Sequence, residues 1–160
     1  MRTLLRGVSL SNGLDWNAEG TRMYYVDTPT RQIAVFDYDV ASGDLLNRRV
    51  AVEIPASLGY PDGLTVDAEG MLWLALWGGG ALTRWDPRTG RLLARHSLPV
   101  SQVTSCAFGG ANLDILYVTS ARDGLTPAQL AAEPLAGAIF ALDAGVLGRP
   151  GGRFGAELPR

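Results

Sequence analysis

The sequence predicts an all-β protein, a β-propeller built from three units that each read as a four-stranded blade. Three observations predict it. A set of short apolar runs, rich in Val, Ile, Leu, Tyr and Trp, recurs along the chain. Asx-Gly-Leu and Glu-Gly strings return at matching positions, with Gly13 and Gly63 set 50 residues apart. Twenty Gly and nine Pro are spread over 160 residues, the composition of many short strands joined by tight turns.

The units follow in order. Arg2 to Val8 reads as a stray outer strand of a preceding blade. The first unit, about residues 11–54, opens with Ser11-Asn12-Gly13-Leu14-Asp15-Trp16. It continues through Met23–Asp27 and Ile33–Asp37, and closes with an outer strand from Leu45 to Ile54. The second, about 61–99, opens with Pro61-Asp62-Gly63-Leu64. It runs through Leu72–Leu76 and Leu82–Asp86 to an outer strand from Arg91 to Leu98. Ala18-Glu19-Gly20 and Ala68-Glu69-Gly70 each put Gly where a hairpin wants positive φ. Trp77-Gly78-Gly79-Gly80 reads as another hairpin turn. The third unit, about 103–143, is weaker: Thr104–Phe108, Leu116–Thr119 and Ala138–Asp143, followed by Gly- and Pro-rich sequence with no clear fourth strand. Thr126-Pro127 supplies an N-cap and a first-turn proline, which predicts one or two helical turns inside a loop.

Composition excludes much chemistry. All 14 basic residues are Arg, and there is one His and one Cys. Without Lys there is no Walker loop and no Schiff base. One His and one Cys cannot build a zinc site from those ligands, so a metal site must be made of oxygens, which suits a hard divalent cation. A net charge of −2 leaves no footprint for nucleic acid or an anionic membrane. No stretch reaches the roughly 20 apolar residues of a membrane span, and the N-terminus has no signal-peptide core. These features predict a cytoplasmic protein.

Asn12 and Asp62 occupy the same repeat position, at the start of the innermost strand of their units. Equivalent positions in successive blades converge on the axis, so an amide oxygen and a carboxylate meet there. Asn or Asp before Gly is also the commonest turn pair. Ser105 is read as the equivalent position in the third unit, with Cys106 as core. His96 falls on an outer strand, far from the axis. Asp15, Asp27, Asp37, Asp67 and Asp86 recur at turns and strand ends and read as structural. Trp16, Trp73, Trp77 and Trp85 read as blade packing, and Tyr60 as a residue at the channel mouth.

Ser11–Leu14, Met23–Thr28, Tyr60–Leu64, Leu72–Ala75 and Thr104–Gly110, in this order and spacing, resemble the senescence marker protein / regucalcin / gluconolactonase family. The likeness runs from about Val8 to Phe154. The resemblance implies a six-bladed propeller with one divalent cation at the channel mouth, and an enzyme that hydrolyses small, sugar-type lactones. It makes Asn12 and Asp62 metal ligands and Asp62 also the general base, for Ca, Zn, Mn or Mg. Three units are then half of a ring and carry half of a metal site. A missing N-terminal half, or a homodimer completing the ring, would supply the rest. The other readings are a non-catalytic metal- or ligand-binding propeller and an inactive truncated fragment.

Overall fold

Turn glycines and runs of β-formers cut the chain into short strands, each long enough to cross one sheet and no more. The computed structural model describes residues 2–151. Among them the strands are β1 (Ser11–Trp16), β2 (Arg22–Asp27), β3 (Gln32–Tyr38), β4 (Leu45–Glu53), β5 (Tyr60–Val66), β6 (Leu72–Trp77), β7 (Ala81–Asp86), β8 (Arg91–Ser97), β9 (Val103–Gly109), β10 (Ile115–Ser120) and β11 (Ile139–Asp143). They form three antiparallel meanders, in order β1-β2-β3-β4, β5-β6-β7-β8 and β9-β10-β11. The all-β expectation holds, and the first two sheets have their four strands. The third has three among the described residues. The sequence after Asp143 lacks the alternation a fourth strand needs. Residues 152–160, and with them the far end of the likeness at Phe154, lie outside the described residues.

The hairpin glycines do what their positions require. Gly20 and Gly70 adopt φ of 66° and 80°, and Gly78 and Gly80, in the β6–β7 turn, 72° and 57°. The expected helical turns are α1 (Pro127–Ala132), opened by a capping box in which the Thr126 hydroxyl accepts from the Gln129 amide and the Gln129 side chain accepts from the Thr126 amide.

The sheets stack face to face. Tyr24, Val26, Ile33, Val35 and Val52 of the first pack on Leu64, Val66, Leu72 and Leu74 of the second. The other face of the second sheet sets Trp73, Ala75 and Leu82 against Val103, Cys106, Leu116 and Val118 of the third. Trp73, Leu72, Leu74 and Leu76 are fully buried. Burying each such side chain contributes about 1.5–3 kcal/mol, so the central sheet, covered on both faces, anchors the other two.

Residues 2–8, expected to form a stray outer strand of a preceding blade, pair with none of the described strands. A lone strand has no ladder to join. Leu5 and Val8 instead lie on the cluster of Met23, Tyr25, Ala34 and Phe36, and Arg2 pairs with Asp44. At the other end, residues after β11 return across all three sheets. The Ala68 amide donates to Leu147 O, the Gly148 amide donates to Leu113 O, and the Arg149 guanidinium donates to Trp16 O.

Candidate functional site

The three inner strands, β1, β5 and β9, lie side by side. Glycine sets how close they come. A Cβ on Gly13 would sit 2.6 Å from Leu64 N and 2.7 Å from Asp62 O, and one on Gly63 would sit 2.3 Å from Ser105 Oγ. Neither glycine has positive φ. The Asx-Gly pairs are therefore contact points between strands, not left-handed turns.

Each inner strand is also irregular at this level. The β1–β2 register breaks between Ser11 and Leu14, and the β5–β6 register between Pro61 and Leu64. The β9–β10 register jumps Thr104, with Val103 opposite Ser120 and Ser105 opposite Thr119. A bulge unpairs a residue and re-aims its side chain. The re-aimed residues are Asn12, Asp62 and Thr104. Leu14, Leu64 and Cys106 then fall in register opposite Tyr25, Leu74 and Val118. This moves the third equivalent position one residue from the expected Ser105: Ser105 matches Gly13 and Gly63, and Thr104 matches Asn12 and Asp62. Aligning the three apolar residues Leu14, Leu64 and Cys106 is the sequence signal that finds it.

Asn12 and Asp62 come together as anticipated. The Asn12 side chain and the Gly63 amide lie beside the Asp62 carboxylate, and both favour its charged form. Asn12 Nδ2 donates to Thr28 Oγ1 at 3.3 Å, and Thr28 Oγ1 donates to Pro61 O at 2.9 Å, which ties the first sheet to the second. The Asn12 amide nitrogen is thus engaged with Thr28, and Oδ1 is the atom Asn12 can offer a cation. Asp62 is half-buried, and its pKa is raised above the usual carboxylate value because burial outweighs the favourable influence of Asn12 and the Gly63 amide. The donors are hard oxygens and the carboxylate is short of compensating positive charge, so the pair fits a hard divalent cation. Such an ion takes six or more oxygens, and Asn12 with Asp62 is part of that shell. Among the described residues no group of three His, Cys, Asp or Glu is placed to hold a metal.

The other singled-out residues separate cleanly. Tyr60 is exposed beside the pair, with the Arg31 guanidinium stacked 3.8 Å above its ring. Ser105 is half-buried against Gly63. Cys106 is buried, its thiol pushed up to about 12 by desolvation, and is core. His96, on β8, lies against Trp73 with ring centres 5.4 Å apart. Asp67 is fully buried and accepts from the Glu69 and Met71 amides, Trp73 Nε1 and Arg84 Nε. Asp15 accepts from Thr65 Oγ1 at 3.1 Å and Val66 N at 2.8 Å, a strut between the first two sheets. Trp73 and Trp85 are buried packing residues, as expected. A cleft of about 370 Å³ lies at the opposite ends of the inner strands, beside Asp15, Thr65, Phe108 and Arg149.

Antiparallel sheets stacked around inner strands that each carry a bulged polar residue make this a propeller-type protein. The family model of the SMP-30/Gluconolactonase/LRE-like region matches residues 1–122, and the chain belongs to that family. It is 45% identical to human regucalcin over 133 residues, 83% of this chain and 44% of that protein. It is 44% identical over 133 residues to Bacillus subtilis (strain 168) YvrE, whose name marks it as a candidate sugar lactone lactonase, covering 83% of this chain and 46% of YvrE. The crystal structure of regucalcin from Agrobacterium tumefaciens, described as a calcium-binding protein, superposes with a TM-score of 0.85 at 34% identity, over 91% of this chain and 50% of that one. The chain spans about half the length of the relatives it matches.

Proposed function

We propose that this chain carries part of the site of a divalent-cation-dependent hydrolase of small, sugar-type lactones. The observation that carries the reading is the Asn12–Asp62 pair, brought together on adjacent inner strands in a chain of this family. Asn12 Oδ1 and the Asp62 carboxylate hold the cation (Ca, Zn, Mn or Mg), and the remaining donors come from whatever completes the ring, an N-terminal half or a second copy of the chain. A cation held there supplies Lewis-acid polarisation of a carbonyl oxygen. Asp62, whose proton affinity is raised by burial, takes a proton from the water that attacks the lactone carbonyl carbon. The ring C–O bond then breaks, and the ring oxygen leaves as the hydroxyl of the hydroxy acid, taking up that proton. Asn12 fixes the carboxylate's orientation. The cytoplasm is the proposed compartment; among the described residues no helix is long and apolar enough to cross a membrane.

The test is hydrolysis of a sugar lactone with added Mn²⁺, Zn²⁺, Ca²⁺ or Mg²⁺, compared with Asp62→Ala. Turnover above the variant supports the reading, and equal rates overturn it. A second reading, a cation-binding protein without turnover, is favoured by the description of the Agrobacterium relative as calcium-binding. Calorimetric Ca²⁺ binding that Asp62→Ala abolishes, with no lactone turnover, is its signature. Neither turnover nor binding by the chain alone is the result expected of an inactive fragment.

A further inference from the structure

The bulges at Asn12 and Asp62 have a third counterpart, which the cation and base roles of that pair leave unused. Thr104 is the residue that the β9–β10 ladder skips. It sits between buried Val103 and half-buried Ser105 and is itself half-buried. Asp62 is likewise half-buried between buried Pro61 and Gly63. The close contact of Gly63 with Ser105 brings β9 directly against the strand that carries Asp62. Three bulged polar side chains therefore follow one another along three adjacent inner strands: an amide, a carboxylate and a hydroxyl.

The Thr104 hydroxyl is held rather than free to rotate. Its Oγ1 lies 2.7 Å from Thr119 Oγ1, and Thr119 Oγ1 also lies 3.4 Å from Ser105 O, to which it donates. The two residues of the preceding sheets that correspond to Thr119, by register with Tyr25 and Leu74, are Val26 and Ala75, both buried and apolar. The third sheet departs from that apolar pattern where a hydroxyl can brace Thr104. With the Thr119 proton directed at Ser105 O, Thr119 Oγ1 accepts from Thr104. The remaining lone pairs of Thr104 Oγ1 are then free to accept, on the strand packed against the one that carries Asp62.

We propose that Thr104 is a specificity-determining residue of the Asn12–Asp62 site, accepting a hydrogen bond from a ring hydroxyl of a polyhydroxylated lactone, with Thr119 as its positioning residue. The proposal rests on the lactonase reading of that site. It adds which feature of the substrate is recognised: a hydroxyl on the ring, not the ester that reacts. A neutral hydroxyl pair suits a sugar-derived ring and gives nothing to an unsubstituted lactone, which has no donor to offer.

The experiment compares kcat/KM for a polyhydroxylated sugar lactone with that for an unsubstituted lactone of the same ring size, in the wild type, Thr104→Val, Thr104→Ser and Thr119→Val. Loss of one neutral hydrogen bond corresponds to about a five- to tenfold fall. Thr104→Val is expected to lose that factor on the hydroxylated substrate alone, and Thr104→Ser to restore it. Thr119→Val should fall between them. Equal losses on both substrates, accompanied by a lowered thermal midpoint, would show a structural role and overturn the proposal, as would no loss at all. If the wild type turns over neither lactone, the lactonase reading fails first. Calorimetric binding of the polyhydroxylated lactone, which is then not consumed, decides the Thr104 question by itself: affinity lowered in Thr104→Val and kept in Thr104→Ser supports it, and equal or undetectable affinity in all variants refutes it.

Discussion

Gly13→Ala adds one methyl group at the point where two inner strands touch. The new Cβ would lie 2.6 Å from Leu64 N, 2.7 Å from Asp62 O and 2.8 Å from Leu64 Cγ, where ordinary contact begins at 3.4 Å. Two of the three atoms belong to the β5 backbone, so no side-chain rotation relieves the clash. The strands must separate by several tenths of an ångström, which draws Asn12 away from Asp62 and lets water in. Overpacking of this kind costs about 1–3 kcal/mol. With a urea slope of about 1–3 kcal/mol/M, the denaturation midpoint should fall by roughly 1 M at unchanged slope. Gly20→Ala is the control. A methyl group on Gly20 would meet nothing within 4 Å, but the residue's φ is 66°, so the cost of adding one, about 1–2 kcal/mol, is conformational. Both variants lose stability, and the Asp62 carboxyl tells them apart. Its pKa, followed by carboxyl NMR, should move toward the ordinary value in Gly13→Ala and stay where it is in Gly20→Ala. A Gly13→Ala protein within about 0.5 kcal/mol of wild type, with an unmoved Asp62 titration, would refute the contact argument.

Asp62→Asn should stabilise the cation-free protein at neutral pH. Burial raises the folded-state pKa of Asp62 above its usual 3.8, so the folded form is favoured while the carboxyl is protonated. That advantage is lost as pH rises through the raised value. Denaturation between about pH 3 and 7.5 should show the variant's lead growing across the carboxylate range, and added Mn²⁺ should reverse the order by stabilising the wild type alone; a pH-independent lead would count against it. Asp67→Ala leaves Trp73 Nε1 without its buried acceptor and Arg84 with Glu69 as its remaining acid partner, and an unsatisfied buried donor costs about 1–3 kcal/mol. The urea midpoint checks this, and a loss under about 1 kcal/mol would show that the buried carboxylate is replaceable.

Much of this is legible in the residues because it is local. Glu19-Gly20 and Glu69-Gly70 mark hairpins whose φ values only glycine adopts freely, and Thr126-Pro127 announces its capping box. The repeat of Leu14 and Leu64 fixes the position of Asn12 against Asp62. What is hidden depends on pairing between strands. No residue type announces a bulge, so the third unit reads one residue out of register in sequence, with Ser105 standing where Thr104 belongs. Gly13 and Gly63 look like turn glycines in sequence, because the closeness of a neighbouring strand leaves no trace in its own chain. The return of Leu147–Arg149 across the sheets is equally silent. Two of its hydrogen bonds, through Leu147 and Gly148, run between backbone atoms, which every sequence supplies alike, and the third, from the Arg149 guanidinium, ends on a backbone oxygen.

The site and the scaffold follow from the same few residues. Glycine at 13 and 63 lets the inner strands approach until a methyl group would not fit. That approach half-buries the residue before each glycine, and the bulge turns its side chain out of the ladder toward its counterpart. A carboxylate placed there loses water faster than Asn12 and the Gly63 amide replace it, so Asp62 holds its proton more tightly than an exposed aspartate does. A base benefits from that raised proton affinity, and a cation would relieve the unmet charge. The packing that makes Asp62 unfavourable in the empty protein is therefore the packing that makes it useful. Relaxing the inner-strand contacts should stabilise the carboxylate while weakening both its basicity and its hold on a cation.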